Sequence, residues 1–238
     1  MPLNITILEN QKFSSNELNN TTFVARYMDF PEFLELLNRV LKFTSLKKLK
    51  EHHIFEFDFD VVKMKVDREK HENSEFTPDE IDDALQRKDW SESWFCSSWT
   101  QSRQESMALW KIFGAMGKGI RIESTVGNVK NSIRKEYWPF PIYAHRVEYH
   151  EKSRSDEIFE AIYTKRKEFR YESEVRFAGQ VPFPQGKQYK GFWIDPSALL
   201  KRVVVGPEIL WAFPYVRETV KRFGIDEKIV KMSKYRTE

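Results

Sequence analysis

The sequence has few of the residues that usually mark a redox or metal site. Cys96 is its one cysteine in 238 residues, so no disulfide forms within the chain and a cysteine-based zinc site is excluded. Because Cys96 lies in the apolar segment 94–99, the pattern favours a buried, inert thiol over a nucleophile. His52 and His53 are adjacent and cannot share one face of a helix or strand. We therefore expect no bound metal.

Long apolar runs and a glycine-rich phosphate loop are also missing. No stretch approaches the roughly 20 apolar residues that a membrane-spanning helix needs, and the first residues do not read as a signal peptide. We therefore expect a cytoplasmic protein without a membrane partner. Gly114, Gly117 and Gly119 follow a predicted helix instead of joining a strand to a helix, so they do not form a Walker or Rossmann loop.

Aromatic residues are abundant and the two signs of charge are nearly balanced. The chain has 19 Phe and 7 Trp, which suits a bulky core or a pocket that stacks planar groups. With 39 Lys and Arg against 36 Asp and Glu, the net charge of +3 does not require a nucleic-acid partner. The short basic runs at 47–48 and 165–167 are interpreted as solvated helix surface.

The hydrophobic pattern predicts one α+β domain over 21–238, after a polar leader over 1–20. Strands and helices occur without strict alternation, which favours a mixed, mainly antiparallel sheet with packed helices. Asp29 with Glu32, and Ser102 with Glu105, are spaced as capping boxes that begin helices. The predicted strands are 23–27, 54–66, 94–99, 119–123, 142–149, 171–177, 191–194, 203–206 and 228–232. The other predicted helices begin at Thr77 or cover 125–136, 155–169 and 213–223.

The predicted strand over 171–177 carries charge on one face. Alternation places Glu172, Glu174 and Arg176 together. Two carboxylates so close repel each other unless a positive or protonated group lies between them, and Arg176 supplies part of that charge. This face is either the solvated side of an outer strand or the lining of a cleft in which one glutamate acts on a ligand.

Several segments together resemble the bacterial domain of unknown function 2971 family, over roughly residues 23–224. The similarity consists of a Cys-Ser strand, a Trp-containing helix, a Gly-Ile strand, a Tyr-Glu-x-Glu-x-Arg segment and a late Val-Gly-Pro segment. These elements are Cys96–Trp99, Leu109–Phe113, Gly117–Ile122, Tyr171–Arg176 and Val203–Pro207, with Arg26-Tyr27 and Leu41–Ser45 before them. Substitutions such as Phe169 for the family's Trp identify a divergent member.

The order of an early arginine, a serine-bearing strand and a late glutamate also resembles the arginine–serine–glutamate ADP-ribosyltransferases. That resemblance implies their fold, NAD as the bound molecule, and a nucleic acid or protein as the acceptor, in a toxin or an antiphage-defence effector. It implies that Glu174, or Glu172 as second choice, stabilises the cationic ribose as nicotinamide leaves. The remaining implied site residues anchor the pyrophosphate or ribose, position the glutamate, or stack on nicotinamide: Arg26, Tyr27, Ser97, Ser98, Trp99 and Arg176.

Two other functions stay open. A non-catalytic module could bind nucleic acid or protein through its aromatic and arginine residues. A metal-dependent nuclease could use acids and a lysine on the predicted strand over 54–66, where carboxylates would hold Mg²⁺. Its candidate residues are Glu56, Asp58 and Asp60, with Lys63 or Lys65. Since the acids alternate with Phe, an ordinary half-exposed strand also explains them.

Overall fold

A computed structural model describes residues 17–52, 58–59, 93–137, 140–151, 154–155, 162–180 and 188–235. The predicted helix from Thr77, most of the strand over 54–66 and residues 1–16 of the predicted leader lie outside these ranges. Glu17 and Leu18 lie at the start of the described chain. Leu18 N donates to Ala144 O, and the Leu18 side chain packs against the core.

The prediction of an α+β fold is confirmed by a nine-stranded, mainly antiparallel sheet with helices against it. The strands are β1 (Phe23–Met28), β2 (Val40–Ser45), β3 (Asp58–Phe59), β4 (Trp94–Thr100), β5 (Ile120–Thr125), β6 (Tyr143–Arg146), β7 (Glu148–His150), β8 (Arg154–Ser155), β9 (Thr164–Arg166), β10 (Glu174–Gln180), β11 (Tyr189–Trp193), β12 (Arg202–Val205) and β13 (Val230–Met232). The α-helices are α1 (Phe30–Leu37), α2 (Leu46–His52), α3 (Met107–Phe113), α4 (Val126–Ser132), α5 (Pro196–Leu199) and α6 (Phe213–Arg222). In the described part of the chain, every helix is too short or too polar to cross a membrane.

The sheet divides at β4, and this division places the candidate site. One edge of β4 pairs with β10 along its whole length, and β6 follows β10. The other edge pairs first with β2, through Thr44 opposite Cys96, and then with β1, through Ala25 opposite Thr100. Beyond β2 lies β11, and beyond β1 lie β5, β12 and β13. The two branches therefore leave a gap beside the middle of β4.

The main hydrophobic core lies on one face of this sheet. Alternation along β4 and β10 directs Phe95, Trp99, Val175 and Phe177 to that face. Helices α1, α4 and α6 cover it with apolar side chains at helical spacing, among them Phe33, Val129 and Val220. Burial of this large apolar surface is the main term that stabilises the fold.

Two smaller apolar clusters occupy the opposite face. One contains Cys96 and Tyr163 near α2, and the other contains Tyr27, Leu109 and Trp110 near α3. The predicted burial of Cys96 is confirmed, since its exposed fraction is 2%. Polar residues of β4 and β10 lie on this same face, between the two clusters, and form the candidate site.

The helix starts show where the capping prediction succeeds and where it fails. Asp29 caps α1, because its carboxylate accepts a hydrogen bond from Glu32 N at 2.7 Å. The predicted box of Ser102 with Glu105 is wrong, since Ser106 is the residue that caps α3. The Glu105 carboxylate instead accepts hydrogen bonds from Trp110 and from the C-terminal segment around Ser233.

Two predictions near the late glutamates are corrected. The segment predicted as a strand from Tyr171 begins with a 3-10 helix, Lys167–Glu172, and β10 begins only at Glu174. Between them Ser173 has a φ of 44°, in the left-handed region, so the chain turns sharply there. In the described part of the helix predicted over 155–169, residues 164–166 form β9. Lys165 is accordingly buried and not solvated.

Candidate functional site

A pocket of about 240 Å³ opens on the sheet face that carries the two smaller clusters. It is bounded by the divided strands β1, β2 and β4, by the start of β10, and by α2 and α3. Most of its polar lining comes from the strands, whereas α2 and α3 contribute apolar side chains. The lining residues are Ala25, Arg26, Tyr27, Glu32, Thr44, Leu49, Cys96, Ser98, Trp99, Thr100, Leu109, Phe113, Lys165, Glu172 and Glu174.

One wall of the pocket is a buried cluster of two carboxylates and two cations. Lys165 Nζ lies 2.8 Å from Glu172 Oε2 and 3.3 Å from Glu174 Oε2. Arg176 Nε lies 2.7 Å from Glu174 Oε1, and Arg176 also donates to the carbonyl of Ile162 at 2.6 Å. The four formal charges balance. All four side chains are at least nine-tenths buried, so the pairing compensates the cost of removing them from water.

The cluster keeps Glu174 ionised despite its burial. Desolvation alone would raise the pKa of Glu174, but Arg176 and Lys165 stabilise the charged form, with a hydrogen bond from Ser98, and lower the pKa to about 2. A carboxylate with such a pKa is a weak proton acceptor at neutral pH. Its chemical use is therefore a fixed negative charge beside the pocket, in a site where water screens it poorly.

Local structure explains why Glu172 and Glu174 meet Lys165. The left-handed turn at Ser173 brings the end of the 3-10 helix and the start of β10 to the same face. The antiparallel register then sets Glu174 opposite Thr100 and Arg176 opposite Ser98. The side chains of these four strand residues therefore lie on one face of the sheet. Tyr149 on β7 receives a hydrogen bond at its hydroxyl from Glu174 N, at 2.8 Å, and fixes the turn from the outside. Burial raises the pKa of Tyr149 to about 12, so its hydroxyl stays protonated.

Arg26 lies on the other side of the pocket, in the gap between β1 and β2. It donates to Ser97 Oγ at 2.6 Å, to Lys42 O at 3.3 Å and to Glu32 Oε1 at 2.5 Å. With respect to the residues that the structure describes, these bonds use three of the five N–H groups of the guanidinium and leave two for a ligand. Glu32, predicted to close a capping box with Asp29, uses its side chain for this ion pair instead.

Aromatic rings form the remaining walls. Trp99 is buried and donates from Nε1 to Ser97 Oγ at 3.0 Å, so Ser97 joins Trp99 to Arg26. The Tyr27 hydroxyl accepts a hydrogen bond from Ser106 N at 3.0 Å. The Arg121 guanidinium lies 5.5 Å from the Tyr27 ring centroid. Burial raises the pKa of Tyr27, and the Arg121 charge opposes only part of this rise.

The structure gathers most of the residues implied by the sequence around this one pocket. Six of them line it: Arg26, Tyr27, Ser98, Trp99, Glu172 and Glu174. Ser97 and Arg176 lie behind the lining, where each holds a lining residue in place. Sequence reasoning missed Lys165, although two glutamates at 172 and 174 imply a nearby cation.

The residues of the nuclease hypothesis fall almost wholly outside the described ranges, and only the backbone of Asp58 is described, in β3. Among the residues that the structure describes, no three His, Cys, Asp or Glu side chains cluster as a metal site. The nuclease hypothesis therefore stays a prediction.

The fold and the site together define a class: an α+β protein whose divided antiparallel sheet holds an ionised glutamate and an arginine across one pocket. Comparison with family models, with curated proteins and with solved structures finds no match for this chain. The resemblances to the domain of unknown function 2971 family and to the ADP-ribosyltransferases therefore stay predictions.

Proposed function

We propose that this chain is an NAD-dependent enzyme of the ADP-ribosyltransferase kind, which transfers ADP-ribose from NAD to a nucleic acid or a protein. The proposal includes an ADP-ribosyltransferase-like fold and divergent membership of the domain of unknown function 2971 family. One observation carries it: an ionised, buried Glu174 and a guanidinium with free N–H groups, Arg26, line the same aromatic-walled pocket. A transferase that modifies cellular targets would act as a toxin or as an antiphage effector.

The size and chemistry of the pocket suit the reacting end of NAD. Its volume of about 240 Å³ is below the range of about 300–1,000 Å³ that is usual for whole drug-sized ligands. We therefore place only the nicotinamide and its ribose inside, with the adenosine half outside. Tyr27, on the pocket face of the sheet, offers aromatic surface to the nicotinamide ring, and Trp99 supports the pocket from the core side through Ser97. The remaining N–H groups of Arg26 suit a ribose hydroxyl or a phosphate oxygen.

In the proposed reaction, the bond between nicotinamide and ribose C1′ breaks and its electron pair leaves with nicotinamide, which becomes neutral. The ribose then carries the positive charge until a nitrogen or oxygen of the acceptor bonds to C1′. The acceptor's proton is released to solvent, because Glu174 is too weakly basic to hold it. Glu174 contributes a fixed negative charge beside the developing cation.

Each neighbour of Glu174 has a positioning role in this scheme. Lys165 and Arg176 keep the carboxylate ionised and fix its direction from below, at 3.3 and 2.7 Å. Ser98 lines the pocket beside the carboxylate and helps to lower the pKa of Glu174.

The test is nicotinamide release from NAD, measured by chromatography on the purified chain. Glu174→Gln keeps the shape but removes the charge, and we expect release to fall by on the order of 100-fold or more. Glu168→Gln is the matched control, since Glu168 lies in the adjacent 3-10 helix and pairs, within the described ranges, with the partly exposed Arg166. It should release nicotinamide at the rate of the unchanged chain.

Because Glu174 is also part of a buried ion cluster, folding must be measured beside activity. Thermal unfolding shows whether Glu174→Gln stays folded at the assay temperature. Ser98→Ala provides a second variant that leaves the ion cluster intact, and it should slow release with little change in melting temperature. Release that is equal in Glu174→Gln and in the unchanged chain would refute the assigned role, as would intact NAD with every acceptor tried.

A further inference from the structure

We propose that a groove lined by Arg103, Arg146 and Arg170, here called the arginine groove, binds the phosphate backbone of a nucleic-acid strand. This inference rests on the proposed function and deepens it, because it selects nucleic acid over protein as the acceptor. Two depressions form the groove, and they share Gln101, Arg146 and Ser173 in their linings.

The groove leads to Glu174. The first depression is lined by Arg103, and the second is lined by Arg170 and reaches Glu174 itself. Glu174 thus contributes to the NAD pocket and to the end of the groove. A strand lying in the groove would therefore present one of its bases or sugars beside the carbon from which nicotinamide departs.

The floor of the groove is held by hydrogen bonds, so its shape does not depend on a ligand. Gln101 N donates to Ser173 O at 2.8 Å, which joins the end of β4 to the left-handed turn before β10. Arg146 donates from Nε to Gln101 Oε1 at 2.8 Å, which directs its remaining N–H groups away from this contact. Arg103 stacks on Phe23, with its guanidinium carbon 4.8 Å from the ring centroid. A stacked guanidinium keeps its edge free for a phosphate oxygen.

The charge of the groove is one-sided, although that of the whole chain is not. Arg103, Arg146 and Arg170 are all exposed, and none forms a salt bridge with a carboxylate among the residues that the structure describes. Among the described lining residues the one acid is Glu174, whose ionised carboxylate is paired with Lys165 and Arg176. Elsewhere on the described surface, exposed cations such as Arg217 and Lys167 have glutamate partners. Three guanidiniums along one groove, without a carboxylate partner in the described part of the chain, match the regular negative charge of a phosphate backbone.

The experiment measures binding of fluorescently labelled single-stranded DNA and RNA oligonucleotides to the full chain by anisotropy, over a series of salt concentrations. The test variant carries Arg103→Gln, Arg146→Gln and Arg170→Gln together. The matched control carries Arg202→Gln, Lys228→Gln and Lys231→Gln. It removes the same charge from a depression beside β13, at the other end of the sheet.

If the three arginines contact three phosphates, the negative slope of log affinity against log salt becomes less steep by about 2 in the test variant. Binding of the test variant at 0.1 M salt weakens on the order of 100-fold. The control should bind within a few-fold of the unchanged chain. A polyglutamate peptide of equal charge should bind more weakly than the oligonucleotides, because its carboxylates end flexible side chains and do not keep the regular spacing of a phosphate backbone.

Equal binding by the test variant and the unchanged chain would overturn the inference, and so would polyglutamate that binds as tightly as the oligonucleotides. Nicotinamide release without an acceptor, measured on the same preparations, separates the two proposals. Release that persists in a chain that does not bind oligonucleotides would refute the groove alone. Arginine-dependent binding without any release would support the groove and refute the transferase chemistry.

Discussion

Replacing Lys165 with Met tests the buried ion cluster without touching either glutamate. In the folded chain Lys165 Nζ lies 2.8 Å from Glu172 and 3.3 Å from Glu174, with about 5% of its side chain exposed. Met has a similar length and no charge, so the substitution keeps most of the packing and removes the cation between the two carboxylates.

We expect a large fall in the free energy of unfolding, because a buried carboxylate would lose its cationic partner. Breaking a buried ion pair by removing one member costs about 3–5 kcal/mol. The depressed pKa of Glu174 agrees with this scale. Its fall from 4.5 to about 2 corresponds to about 3 kcal/mol of stability at neutral pH. Arg176 and Lys165 both contribute to this stabilisation. We therefore expect the free energy of unfolding at pH 7 to fall by about 3 kcal/mol in Lys165→Met.

The free energy of unfolding depends on pH with opposite signs in the unchanged chain and in Lys165→Met. In the unchanged chain the folded pKa of Glu174 is depressed, so its contribution is present above pH 4.5 and is lost as the pH falls toward 2. In Lys165→Met the loss of the cation is expected to raise the folded pKa of one carboxylate of the pair, which then takes up a proton. The stability deficit should then shrink below pH 7, by about 1.4 kcal/mol for each pH unit over which the folded variant holds one extra proton.

Urea unfolding at pH 7 and pH 5 measures both effects. Lys167→Met is the matched control, because Lys167 lies two residues away and its carboxylate partner among the described residues is the exposed Glu151. Exposed pairs contribute about 0–1 kcal/mol. The reasoning would be refuted by a deficit for Lys165→Met no larger than that of the control, or by a deficit that grows toward pH 5.

Two further predictions concern the frame of the site. A Cβ at Gly119 would lie 2.1 Å from Met28 O, so Gly119→Ala should force β1 from β5 and lower the free energy of unfolding by about 1–3 kcal/mol, measured by urea unfolding. Glu105 accepts hydrogen bonds from Ser233 and from Lys234 N, so Glu105→Ala should speed amide hydrogen exchange in the C-terminal segment; unchanged exchange there would contradict this anchoring.

The period-two and period-3.6 patterns predicted much of the fold, because most elements bury one face. The strand from Phe23, the buried strand from Trp94 and the helix over 213–223 all lie within one or two residues of their predicted bounds. The region before Glu174 was predicted wrongly, because a charged sequence there forms a 3-10 turn around a buried cation. A run of charged residues is usually exposed to solvent, so the pattern predicted an exposed Lys165. The prediction failed because its partners, Glu172 and Glu174, lie on other elements.

The candidate site was predictable in its members but not in their arrangement. A one-sided charge pattern identified Glu172 and Glu174, and their approach to Arg26 required the division of the sheet at β4. That division follows from long-range strand pairing, which no local pattern encodes. The clustering of Arg103, Arg146 and Arg170 in the arginine groove could not be predicted either, because a net charge of +3 describes the chain and not one of its surfaces.

The most direct measurement is a crystal structure of the chain with an NAD analogue whose glycosidic bond cannot break. The account predicts the nicotinamide half in the pocket between Arg26 and Glu174, with a ribose hydroxyl at the Glu174 carboxylate. An analogue bound elsewhere, or a pocket left empty by a saturating concentration, would contradict it.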